Sequence, residues 1–106
     1  MRHETTTGTA YEALGFSKEE AAALAMRVLL AAEIERFVKR RRMTQTAAAA
    51  FFGVSQPRIS NVLNGKLQGF TIDLLVKMVS KTGCIPRVSF RRTGSDRPSA
   101  AERRAL

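Results

Sequence analysis

Apolar and polar positions along this chain fall mostly into blocks with helical spacing, interrupted near the C-terminus by one block that alternates. The longest helical block is residues 17–42, in which Leu24, Val28, Ala31, Ala32, Glu35 and Val38 make one apolar-leaning stripe and Leu30, Ile34 and Phe37 a second. Ser17 followed three residues later by Glu20 spells a capping box, with acids in the first turn and basic residues 39–42 in the last, as the helix dipole favours. Two stripes fit either one long helix or two helices with a bend near Met26. Ahead of this block, residues 1–16 read as an N-terminal arm. Its first ten residues are expected to be mobile, and its apolar cluster, Tyr11, Leu14 and Phe16, either folds back or docks on a partner.

Residues 44–65, TQTAAAAFFGVSQPRISNVLNG, spell two short helices joined by a turn. Thr44 caps the first, in which Ala47, Ala48, Phe51 and Phe52 keep helical spacing and the alanine run lets a second helix approach closely. Gly53 is free to take positive φ at the elbow and Val54 plugs the corner. Ser55 is the next cap, Pro57 sits in a first turn where a missing N–H is harmless, and Gly65 ends the second helix. Ile59, Val62 and Leu63 face inward on that helix. Gln56, Arg58, Ser60 and Asn61 face outward, all with groups that hydrogen-bond base edges or phosphates.

Beyond a KLQGF loop at residues 66–70, Thr71 caps a further helix over 72–81 with Leu74, Leu75, Met78 and Val79 facing the core, and Gly83 closes it. Residues 84–91, CIPRVSFR, then change period: Ile85, Val88 and Phe90 stand against Arg87, Ser89 and Arg91. This pattern predicts a β-strand that pairs with its copy across a dimer axis, with an extended tail on the helices as the alternative. Residues 17–91 thus form one domain with a dimerisation strand, and residues 92–106, rich in Arg, Ser, Gly and Ala, a flexible basic tail.

Charge sharpens the picture. In 106 residues, 18 Lys and Arg face nine acids, a net +9, and the excess grows towards the C-terminus, which points to a polyanionic partner. One histidine, one cysteine and no carboxylate cluster leave no acid–base, nucleophile or metal constellation, so neither an enzyme nor a cofactor is expected. One tyrosine and no tryptophan give little surface for stacking single-stranded RNA. Cys84 reads as a small buried residue rather than a redox centre. No apolar run approaches the roughly 18 residues of a membrane span, so a cytoplasmic, nucleoid-associated protein without membrane partners is expected.

The 44–65 stretch resembles the helix-turn-helix of the phage repressor and Cro (XRE) family, with Gln45, Ala49, Gly53, Val54, Gln56, Ile59 and Gly65 at the family's offsets. From about residue 34 to residue 90 the chain is similar to the HigA-type antitoxin branch, on MTQ at 43–45, GVSQPRIS at 53–60 and NGKLQGFTIDLLVKM at 64–78. The resemblance implies a mainly α, lambda-repressor-like bundle that binds a near-palindromic operator as a homodimer and represses transcription. It also implies a further protein partner, a HigB/RelE-type ribonuclease toxin that such antitoxins neutralise; a stand-alone regulator is the alternative. On this reading Gln56, Arg58, Ser60 and Asn61 contact bases, while Gln45, Ser55, Lys66, Arg42 and Thr71 hold phosphates. Ile85, Val88 and Phe90 join the two copies.

Overall fold

The structure, a computed structural model, describes residues 7–92. It contains five helices: α1 (Thr7–Ala13), α2 (Lys18–Arg40), α3 (Gln45–Phe52), α4 (Gln56–Leu63) and α5 (Ile72–Lys81). Four of them begin where a hydroxyl side chain offers its oxygen to an orphan amide. Both halves of the capping box are made, Ser17 Oγ accepting from Glu20 N at 3.1 Å and Glu20 Oε1 accepting from Ser17 N at 3.0 Å. That backbone donor holds the Glu20 carboxyl below its ordinary pKa. Thr44, Ser55 and Thr71 accept from Ala47, Arg58 and Leu74 at 3.1, 3.3 and 3.1 Å.

α2 is one unbroken helix of 23 residues, and its buried positions, Ala21, Leu30, Ala31, Ile34, Phe37 and Val38, draw on both apolar stripes. It is the spine against which α1, α4 and α5 pack, while α3 packs on α4. Ile34 and Phe37 meet Ala48, Ala49 and Phe52 of α3, Ile59 and Val62 of α4, and Leu75, Met78 and Val79 of α5 in one core. Leu67 and Phe70 of the loop between α4 and α5 close it. Phe37 stacks on Phe51 at 5.1 Å and meets Phe52 edge-on at 6.0 Å, which locks α3 onto α2. α5 is tied to the far end of α3 by Lys81 Nζ, which donates to the carbonyl of Phe52 at 3.0 Å.

Three expectations need correction. The arm holds helix α1 in place of the expected mobile stretch, and Tyr11 turns back to meet Phe16 edge-on at 6.2 Å; residues 1–6 lie outside the described residues. No strand occurs among the described residues, because the segment 84–92 has no second extended segment beside it to complete its backbone hydrogen bonds. Ile85, Val88 and Phe90 are 88, 56 and 95% exposed. Cys84 is exposed, not buried, because the chain leaves the core at Gly83; its thiol lies 3.7 Å from Glu33 Oε2. The basic tail beyond residue 92 lies outside the described residues.

Gly53 closes the α3–α4 elbow at φ 71°, and a Cβ there would stand 3.2 Å from Lys81 Nζ. Gly53→Ala is therefore expected to cost about 1–2 kcal/mol of stability from the left-handed backbone. Thermal unfolding should show it as a clear drop in Tm. Gly53→Asn, whose side chain tolerates that region, should lose less, and an unchanged Tm in the alanine variant would contradict the account.

Candidate nucleic-acid interface

Two buried residues decide which way α4 faces. Ile59 and Val62 insert into the core at 0 and 2% exposure. At about 100° per residue, Gln56, Ser60, Asn61 and Asn64 then occupy the opposite arc. Gln56 and Asn61 are exposed and have no side-chain partner among the described residues, so their amide donors and acceptors are open to a ligand. Ser60 is half-buried, and its hydroxyl accepts from Asn64 Nδ2 at 3.4 Å. Asn64 is thus a fourth polar group of this face, one not among the outward residues expected from the sequence.

Arg58 stands apart. It lies on the flank between the buried and open arcs, half-buried, with its guanidinium 4.5 Å above the Phe70 ring and Nη2 3.4 Å from the Gly69 carbonyl. The side chain spans from α4 to the loop before α5. Nothing local in the sequence pairs residues 58 and 70, so Phe70 as its platform was not legible.

The expected phosphate-holding residues sit at helix ends. Gln45 is exposed on the first turn of α3 and has no side-chain partner among the described residues. Ser55 and Thr71 spend an acceptor lone pair on their caps, which leaves each O–H free to donate outward beside the amides of a helix start. Lys66 is exposed just after α4, in a turn closed by Lys66 N donating to Asn61 O at 2.8 Å and Gly65 N to Val62 O at 3.3 Å, with Gly65 at φ 75°.

Within the basic run the four residues differ. Lys39 is paired with Glu35 at 3.2 Å, and Arg40 and Arg41 lean over the Phe37 ring at 5.8 and 4.8 Å. Arg42 is exposed, has no side-chain partner among the described residues and takes φ 51°, the left-handed position that closes α2. Met43 N donates to Val38 O at 3.0 Å and Arg42 N to Lys39 O at 3.1 Å, a pattern that glycine usually serves. The residues expected to join two copies, Ile85, Val88 and Phe90, lie on the segment after α5, and the structure does not bring them to the α4 face.

Among the described residues no helix is long and apolar enough to cross a membrane, and no group of His, Cys, Asp and Glu is arranged to hold a metal ion. The family described as a helix-turn-helix domain matches residues 13–89. A solved chain whose description proposes an XRE family transcriptional regulator superposes with a TM-score of 0.61 at 28% sequence identity, covering 74% of this chain and 88% of its own. No curated protein matches the sequence.

These placements predict opposite stability effects for two arginines. Arg42→Gly is expected to raise stability by about 1 kcal/mol by relieving the left-handed backbone. Arg58→Ala should lower it by about 0.5–1 kcal/mol through the lost contact with Phe70. Urea titrations of both variants check the pair, and equal, same-sign changes would refute the two placements.

Proposed function

The chain belongs to the helix-turn-helix domain family, and on that premise we propose that it is a sequence-specific DNA-binding transcriptional repressor acting as a homodimer. The observation that carries this reading is the outer face of α4, where Gln56 and Asn61 stand exposed and unpartnered on a helix whose rotation the core holds fixed. Laid in the major groove, Gln56 presents the donor–acceptor pair that matches adenine, Asn61 a second such pair, and Ser60 a hydroxyl to a neighbouring edge. Arg58 reaches guanine or a phosphate after leaving Phe70. Gln45, Ser55, Arg42, Lys66 and Thr71 hold the backbone and set register.

Two copies place their α4 helices one DNA turn, about 34 Å, apart, which calls for a near-palindromic operator. The exposed Ile85, Val88 and Phe90 are the surface on which the copies meet, pairing as strands only once both are present. The similarity to a chain described as an XRE family regulator supports transcriptional control as the role. The sequence similarity to HigA-type antitoxins extends the proposal: the protein represses its own operon and neutralises a HigB/RelE-type ribonuclease toxin. The stand-alone regulator is the second reading, and the description of that solved chain favours it. Co-expression with the adjacent reading frame separates the two, because only an antitoxin co-purifies with its product and silences that product's RNA cleavage.

Base and backbone contacts have different signatures. Gln56→Ala and Asn61→Ala should each cost about 1–3 kcal/mol on operator DNA and little on unrelated DNA. Lys66→Ala should weaken both alike and reduce the slope of log affinity against log salt by about 1. If the Gln56 and Asn61 variants bind operator like the parent in a salt titration, α4 is not the reading helix.

Phe90→Asp, which puts a charge into the proposed contact between copies, should give a monomer by light scattering with the helical content of the parent. A dimer of undiminished stability would move the interface elsewhere.

A further inference from the structure

Between the α1–α2 connection, α2 and the loop after α4 lies a groove of about 460 Å³ whose apolar walls are Phe16, Leu24 and Leu67. Two cations, Arg27 and Lys66, also line it, together with Gln68, and no carboxylate does. Arg27 Nε is buried and lacks a hydrogen-bond partner, the one such side-chain nitrogen or oxygen found among the described residues. No hydrogen bond or ion pair engages any part of the Arg27 guanidinium among the described residues, so the cation at this groove is left uncompensated within the chain. Beyond Leu67 a second hollow runs along α2 past Val28 and Ala32 to Glu35, a carboxylate already paired with Lys39, so no free cation lines that end. The charge of any occupant is thereby directed to Arg27 and Lys66.

We propose that this groove is a binding site for a small monocarboxylate with an apolar body. The carboxylate would accept from Arg27 and Lys66, with Gln68 as a further donor, and the apolar body would lie against Phe16, Leu24 and Leu67. A planar guanidinium matches a carboxylate in two parallel bonds, and three apolar walls suit a hydrocarbon better than a fully hydrated phosphate. The site lies off the outer face of α4 but shares Lys66 with the proposed phosphate contacts, and it is tested without DNA so that the two readings can fail separately.

The test is a titration of the full chain, followed by amide NMR without DNA, using 3-phenylpropanoate, its neutral amide and inorganic phosphate as probes. The acid is expected to shift the amides of Leu24, Arg27, Leu67 and Gln68 and to bind about tenfold more tightly than the amide. Arg27→Gln should abolish that preference and Arg27→Lys restore part of it, with the rest of the spectrum unchanged. Equal binding of acid and amide, equal shifts from phosphate, or an undiminished preference in Arg27→Gln would each overturn the proposal. The comparison of acid with amide on the unaltered protein holds even if a variant fails to fold.

Discussion

Everything on the binding side depends on how the α2 face formed by Ile34, Phe37 and Val38 seats the helices above it. Phe37 and Ile34 are buried to 1 and 0% exposure, and each such side chain contributes roughly 1.5–3 kcal/mol when removed from water. The geometric effect matters as much as the energy. α3 is held by the Phe37, Phe51 and Phe52 rings, and α4 is held by Ile59 and Val62, so neither helix can roll. With roll suppressed, the arc of Gln56, Ser60, Asn61 and Asn64 faces outward without any further support. A flexible polar face would pay an ordering cost at each contact, whereas this one arrives arranged.

The helix caps and glycine turns, which depend on neighbours within four residues, were legible in the sequence. Ser17, Thr44, Ser55 and Thr71 all cap as their spacing implies, because a hydroxyl reaches only the amide three residues ahead. The elbow at Gly53 and the turn at Gly65 were legible for the same reason. Features that join distant residues were not. Lys81 reaches back 29 positions to the Phe52 carbonyl, and Arg58 finds its ring on Phe70; neither pairing leaves a periodic trace. α1 was missed because a seven-residue helix starting in Thr and Gly has weak intrinsic preference and takes its support from α2.

Residues 84–91 teach a different point. Alternation of apolar and polar positions states that a segment could cover a surface on one side; it does not supply the surface. Within one chain the segment forms a wall of a groove of about 570 Å³ with Met26, Leu29, Leu30 and Val79, and still leaves Ile85 and Phe90 almost fully in water. Strand geometry requires backbone partners, and the helices of this fold have none to spare, since their amides and carbonyls are used internally. The expected strand was one paired with its copy across a dimer axis, and a single chain supplies no such partner, so among the described residues the segment keeps its apolar alternation without becoming a strand.

The basic residues show how position modifies charge. Lys39 is neutralised in part by Glu35, whereas Arg42 is unpaired and sits in a backbone region that would suit glycine better, a local strain at the edge of the interface. Arg58 is arranged in the opposite sense. Its contacts with Phe70 and the Gly69 carbonyl must be surrendered if its guanidinium turns to a base, and that loss is the same for every DNA sequence. A uniform cost lowers affinity without changing preference. Arg58 can therefore add discrimination only where the base it meets returns more than the ring and carbonyl it leaves, a condition that a guanine edge with two aligned acceptors meets and a single phosphate oxygen meets less well. On the proposed reading the parked arginine would filter weak contacts, while Gln56 and Asn61, with no side-chain partner to give up, would report on every sequence they touched.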